Sequence, residues 1–134
     1  MSRSEPRDTI VADVMRRHFV AVSPELSLVD ARQLMRLASL RHLIVAREEC
    51  LVGLISYRRL LESLLDDRAS QDAISSAMVP NPDVVASGAS LADAADRLCR
   101  CGIGCLPVID QDNPELRLVG VITETDLLRA AYRR

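Results

Sequence analysis

Ser27-Leu28-Val29-Asp30-Ala31 recurs 63 residues later as Ser90-Leu91-Ala92-Asp93-Ala94. Met15 and Met78 stand at the same offset, and so do Leu43 and Leu106. Farther on, Gly53-Leu54-Ile55-Ser56 returns as Gly120-Val121-Ile122-Thr123, now at an offset of 67. An ordered set of matches at a nearly fixed period is the mark of an internal repeat. The four extra residues of the second copy fall at Asp110-Gln111-Asp112-Asn113-Pro114, where turn chemistry tolerates insertion. The 134 residues therefore divide into a tail (1–9), a first repeat (10–66), a polar linker (67–72) and a second repeat (73–132).

Each repeat reads the same way. A short helical turn (Ile10–Met15; Ala73–Met78) leads into an extended piece (Val20–Val22; Val84–Ala86). A helix then starts at a Ser-x-x-Asp capping pair, Ser27/Asp30 and Ser90/Asp93. In the first copy Leu28, Ala31, Leu34, Met35 and Ala38 keep the spacing of a core-facing stripe; in the second, Gly102 marks the helix end. Two apolar runs follow, His42–Ala46 with Leu51–Ile55 and Leu106–Ile109 with Leu118–Ile122, which predict a β-hairpin in each copy. A last helix closes each copy (Arg58–Leu65; Glu124–Tyr132). The expected fold class is mixed α/β (α+β): two β-α-β-β-α repeats packed as a pseudo-twofold pair. A core of about 60 residues is marginal alone, and pairing two would bury more.

Composition excludes several functions. Lys+Arg is 17 and Asp+Glu 19, for a net charge of −2, and 49 % of residues are hydrophobic. Aromatics are 2 %: Phe19, Tyr57 and Tyr132. Three scattered rings cannot build a base-stacking platform, and an acidic chain offers duplex DNA no basic footprint, so no nucleic-acid partner is expected. No run nears the roughly 20 apolar residues that span a bilayer, and Met1–Asp8 has no apolar leader core, so no membrane partner and a cytoplasmic location are expected. Cys50, Cys99, Cys101 and Cys105 should then be thiols, and the Cys99-x-Cys101-x-x-x-Cys105 cluster small and buried. Cys99-x-Cys101 lies on a helix, where positions two apart do not share a face, so no metal site is expected. Catalysis is not expected either, because glycine-rich phosphate loops, nucleophile elbows and His-rich metal motifs are missing.

The chain resembles a tandem pair of cystathionine-β-synthase (CBS) domains, a Bateman module. In the first repeat the residues that carry this are Val14-Met15, Ser27-Leu28-x-Asp30-Ala31, Arg41-His42-Leu43-x-Val45 and Gly53-x-Ile55-Ser56. In the second they are Ala77-Met78, Ser90-Leu91-x-Asp93-Ala94, Leu106-Pro107-Val108-Ile109-Asp110 and Gly120 through Leu128. The resemblance implies a regulatory module that binds an adenosine compound (AMP, ADP or ATP-like) in a cleft between repeats. It also implies a homodimer, a separate regulated protein, and no cofactor beyond the regulatory nucleotide.

By the same resemblance, Thr123 faces the ligand phosphate and Asp126 accepts the ribose hydroxyls. A carboxylate is an acceptor-only group suited to a diol, and helix N-terminal amides suit an anion. Thr-x-x-Asp is equally an ordinary helix cap. Met15, Phe19, Val20, Leu40, Arg41, Gly104, Cys105 and Val121 complete the implied site. The second cleft would involve Arg41, His42, Ser56, Arg59, Pro82 and Ile103. There Ser56-Tyr57-Arg58-Arg59 puts a donor-only guanidinium where the ribose carboxylate should be. One working site and one empty or anion-binding cleft are expected. A dimeric interaction scaffold with degenerate clefts is the alternative. A redox or metal sensor on Cys99, Cys101 and Cys105, and a pH switch at His42, are further readings.

Overall fold

The computed structural model describes residues 9–66, 68–102, 104–112, 115 and 117–132. Two compact units are present. One is Val20–Pro82; the other joins the described residues up to Phe19 with those from Asp83 onward. The repeat boundaries and the packing boundaries are therefore offset, because the segment that opens each sequence repeat packs into the unit of the other copy's hairpin.

In the Val20–Pro82 unit, strand β1 (Ala21–Val22) leads to helix α2 (Leu28–Leu37), strands β2 (His42–Arg47) and β3 (Cys50–Ser56), and helix α3 (Tyr57–Leu64). A 3-10 turn (Ile74–Ser76) and strand β4 (Val79–Pro80) complete it. The sheet order is β1-β2-β3-β4, with β1 parallel to β2 and the other pairs antiparallel. The Ser27 side chain accepts from the Asp30 amide at 3.2 Å and starts α2 as the capping pair predicts. Leu28, Ala31 and Met35 are buried along one stripe of α2, with Leu34 packed beside them. Ala38, expected on that stripe, is exposed instead: α2 ends at Leu37 and Ala38 is its non-helical C-cap. Leu43, Val45, Ile55 and Leu60 close the core. Arg47 pairs with Cys50, so the hairpin turns on Glu48 and Glu49 alone, at φ 52° and 71°. Positive φ at both central positions is the turn that matches strand twist.

The other unit starts with helix α1 (Val11–Val14) and continues with strand β5 (Val85–Ala86), helix α4 (Leu91–Cys101), strands β6 (Cys105–Ile109) and β7 (Leu118–Thr123), and helix α5 (Glu124–Tyr132). The sheet is β5-β6-β7, with β5 parallel to β6 and β6 antiparallel to β7. Ser90 caps α4 by accepting from the Asp93 amide at 3.0 Å, and Gly102 ends it in the left-handed region at φ 71°. Val11, Val85, Ala94, Leu98, Leu106, Val108 and Ile122 form its core. Arg16 bridges Val121 on the outer edge of β7, as Val79 in β4 pairs with Leu54 in β3.

The fold is thus mixed α and β, with the two similar motifs the sequence predicts. Among the described residues no helix is long and apolar enough to cross a membrane. The part of the inserted turn at Asn113, Pro114 and Leu116 lies outside the described residues, as does the predicted leader-free start at Met1–Asp8.

Candidate functional site

The chemistry concentrates where β7 hands over to α5. Thr123 ends the strand and Asp126 sits in the first turn of the helix. The Asp126 amide donates to Thr123 Oγ1 at 3.3 Å. Asp126 Oδ2 in turn accepts from the Thr123 amide at 2.9 Å and from the Thr123 hydroxyl at 3.0 Å. This is a complete reciprocal cap, so the helix start and the candidate site are the same structure. Asp126 is 5 % exposed and is the one charged side chain buried among the described residues. Its Oδ1 faces Arg16, whose Nε donates at 2.9 Å.

Arg16 is placed by backbone. Its amide donates to the Val121 carbonyl at 2.8 Å and its carbonyl accepts from the Val121 amide at 3.0 Å. Met15, its neighbour in the chain, and Val121, its backbone partner, are each 8 % exposed. On the other side, Gly104 lies at φ 84°, and a Cβ there would stand 2.8 Å from Glu124 Oε1. The Gly104 carbonyl accepts from the Glu124 amide at 3.4 Å. Cys105 is buried, and its thiol is pushed up to about 12, first by desolvation and then by the nearby Cys101 and Asp126 charges. It is therefore a neutral lining group.

The structure brings Met15, Gly104, Cys105, Val121, Thr123 and Asp126 together in one unit, which also contains the half-buried Phe19. Val20, Leu40 and Arg41 belong to the Val20–Pro82 unit. Val20 and Arg41 are exposed and Leu40 is half-buried. Arg16 escaped the sequence reading. The available signal was the position after the repeated methionine, arginine in Val14-Met15-Arg16 but valine in Ala77-Met78-Val79.

The corresponding strand-to-helix junction of the Val20–Pro82 unit has different chemistry. Ser56 Oγ accepts from the Arg59 amide at 3.1 Å, so the cap is kept. The Arg59 side chain, standing where Asp126 stands in the other copy, donates through Nε to the Ala77 carbonyl. His42 is paired with Ser56 across the hairpin, and the Arg41 carbonyl accepts from the Tyr57 amide at 2.8 Å. Pro82 is half-buried in this unit, and Ile103 lies outside the described residues.

The cysteines do not share one environment. Only Cys105 is buried; Cys99 is exposed, and Cys50 and Cys101 are intermediate. The expectation of buried thiols at Cys99, Cys101 and Cys105 is corrected for the first two: α4 turns Cys99 to its outer face, two positions from the half-buried Cys101. Among the described residues no group of three His, Cys, Asp or Glu side chains is arranged to hold a metal ion.

Comparison with known proteins agrees with the repeat. The family model of the CBS domain matches residues 11–66 and again 74–133. The fold is similar to the crystal structure of CBSX2 in complex with AMP, at 30 % identity, TM-score 0.82, covering 92 % of this chain and 96 % of that one. It is also similar to the crystal structure of the CBS-pair protein CBSX2 from Arabidopsis thaliana, at 28 % identity and TM-score 0.82, covering 92 % and 94 %. A homoserine O-acetyltransferase of Methanococcoides burtonii is 30 % identical over 128 residues, 90 % of this chain. The chain spans only 24 % of that curated relative's length.

Proposed function

The chain belongs to the CBS domain family, and from that premise we propose that it is a non-catalytic regulatory module that binds an adenosine compound at the β7–α5 junction. Asp126 accepts the ribose hydroxyls and the capped start of α5 faces the phosphate. The observation that carries this reading is the buried Asp126 carboxylate, held by Thr123 and Arg16 at the mouth of a helix N-terminus. A diol needs an acceptor-only group, and the positive end of the helix dipole favours an anion. The AMP bound by CBSX2, a structure similar over most of both chains, supports the ligand class.

In this reading the adenine lies against aliphatic side chains, with Met15 and Val121 beneath it and Phe19 as the available ring. The Ser56–Arg59 junction binds no nucleoside, because Arg59 offers donors only. The chain acts as a homodimer in the cytoplasm, and occupancy biases its conformational ensemble for a partner protein to read. A thermal-shift panel tests the proposal. AMP, ADP or ATP should raise the melting temperature by mass action. No shift with these ligands, S-adenosylmethionine or NADH would leave a scaffold with degenerate clefts.

A further inference from the structure

Asp126 cannot take both hydroxyls of a ribose while Arg16 holds it. A carboxylate offers about four acceptor positions. Thr123 fills two at Oδ2 with its amide and hydroxyl, and Arg16 Nε fills one at Oδ1. A vicinal diol donates two hydrogen bonds, one more than remains. The Thr123 amide bond is part of the helix cap, and the Arg16 side chain is 50 % exposed. Arg16 is the partner that can move.

We infer that Arg16 is a specificity-determining residue, which exchanges Asp126 for the phosphate of the incoming ligand. The inference rests on Asp126 being the ribose acceptor. Removing the guanidinium from a nearly buried carboxylate is unfavourable unless both charges find new partners. A phosphorylated adenosine supplies both: its hydroxyls satisfy Asp126, and its phosphate receives the guanidinium as a two-pronged partner. Unphosphorylated adenosine supplies only the first. The Arg16–Asp126 pair therefore filters for a phosphate without any direct rejection of the nucleoside. The other repeat has Val79 at the same edge position, paired with Leu54 as Arg16 is with Val121, so valine is compatible with this backbone setting.

Calorimetric titration of the full chain with adenosine and AMP tests this. Wild type should prefer AMP by at least tenfold, roughly 1.4 kcal/mol. In Arg16→Val the preference should fall to about threefold or less, with adenosine bound at least as tightly as by wild type. Arg16→Gln should behave the same way and serves if the valine variant does not fold by circular dichroism. Arg16→Lys should keep a preference for AMP, since it keeps the charge. An unchanged AMP-to-adenosine ratio in the neutral variants would overturn the role of Arg16 and leave the site intact. Failure of wild type to bind either compound would overturn the site itself, and this inference with it.

Discussion

Gly120 lies directly against Met15: a Cβ at Gly120 would stand 2.6 Å from Met15 Sδ and 2.9 Å from the Arg16 carbonyl oxygen. Gly53 stands in the same relation to Met78 in the other unit, with the Val79 carbonyl 3.0 Å away. The methionine side chain could swing aside, but the carbonyl is fixed by its bond to Val121. Gly120→Ala should therefore destabilise the protein by about 1–3 kcal/mol, as overpacking does. Urea unfolding measures this, and adding Met15→Ala should recover only part of the loss.

The two strand-to-helix junctions are chemically unlike, with Asp126 in one and Arg59 in the other. Titration with AMP should accordingly give no more than one site per chain. Arg59→Ala should leave that affinity unchanged within about twofold, since the bond it breaks, to the Ala77 carbonyl, lies wholly within the Val20–Pro82 unit, which does not contain Asp126.

Ser27 and Ser90 cap α2 and α4 through single side-chain bonds of 3.2 Å and 3.0 Å. Replacing either with alanine should cost about 1 kcal/mol. The double variant should show close to the sum of the two, because the caps lie in separate units. Thermal unfolding of the four proteins checks both points.

These caps show why much of the fold was legible in the sequence. Ser27 and Ser90 announce helix starts because the hydroxyl satisfies an orphan amide whatever the tertiary surroundings. Gly102 announces a helix end because the left-handed conformation suits a residue without a Cβ. The hairpin at Glu48-Glu49 gives no such signal: two glutamates at positive φ are placed by the paired strands, not by their own preference. Strand β4 is only two residues long, and its pairing to β3 depends on contacts absent from local sequence. The same holds for residues 10–19, whose packing beside β7 is long-range. Within the candidate site, the spacing of Thr123 and Asp126 announced a helix cap, and only the resemblance to CBS domains pointed to them as ligand contacts. Arg16 was not legible, because its partner lies 110 residues away.

Cys105 sets a distinct pH response. Burial raises its thiol to about 12 from an ordinary value of 9.0. Its contribution to stability is thus fully present below pH 9 and is lost as pH rises from there toward 12. The chain has 17 basic side chains, all arginine, so no lysine titrates in that window. Cys105→Ala should flatten the alkaline part of the stability curve. At pH 8 a thiol reagent should modify the exposed Cys99 rapidly and spare Cys105 until the protein unfolds.

The most direct test of the account is calorimetric titration of AMP into wild type and Asp126→Ala under the same conditions. The account predicts measurable binding to wild type and none to the variant, with the far-ultraviolet circular dichroism of the two proteins alike. AMP binding to Asp126→Ala with unchanged affinity would contradict it.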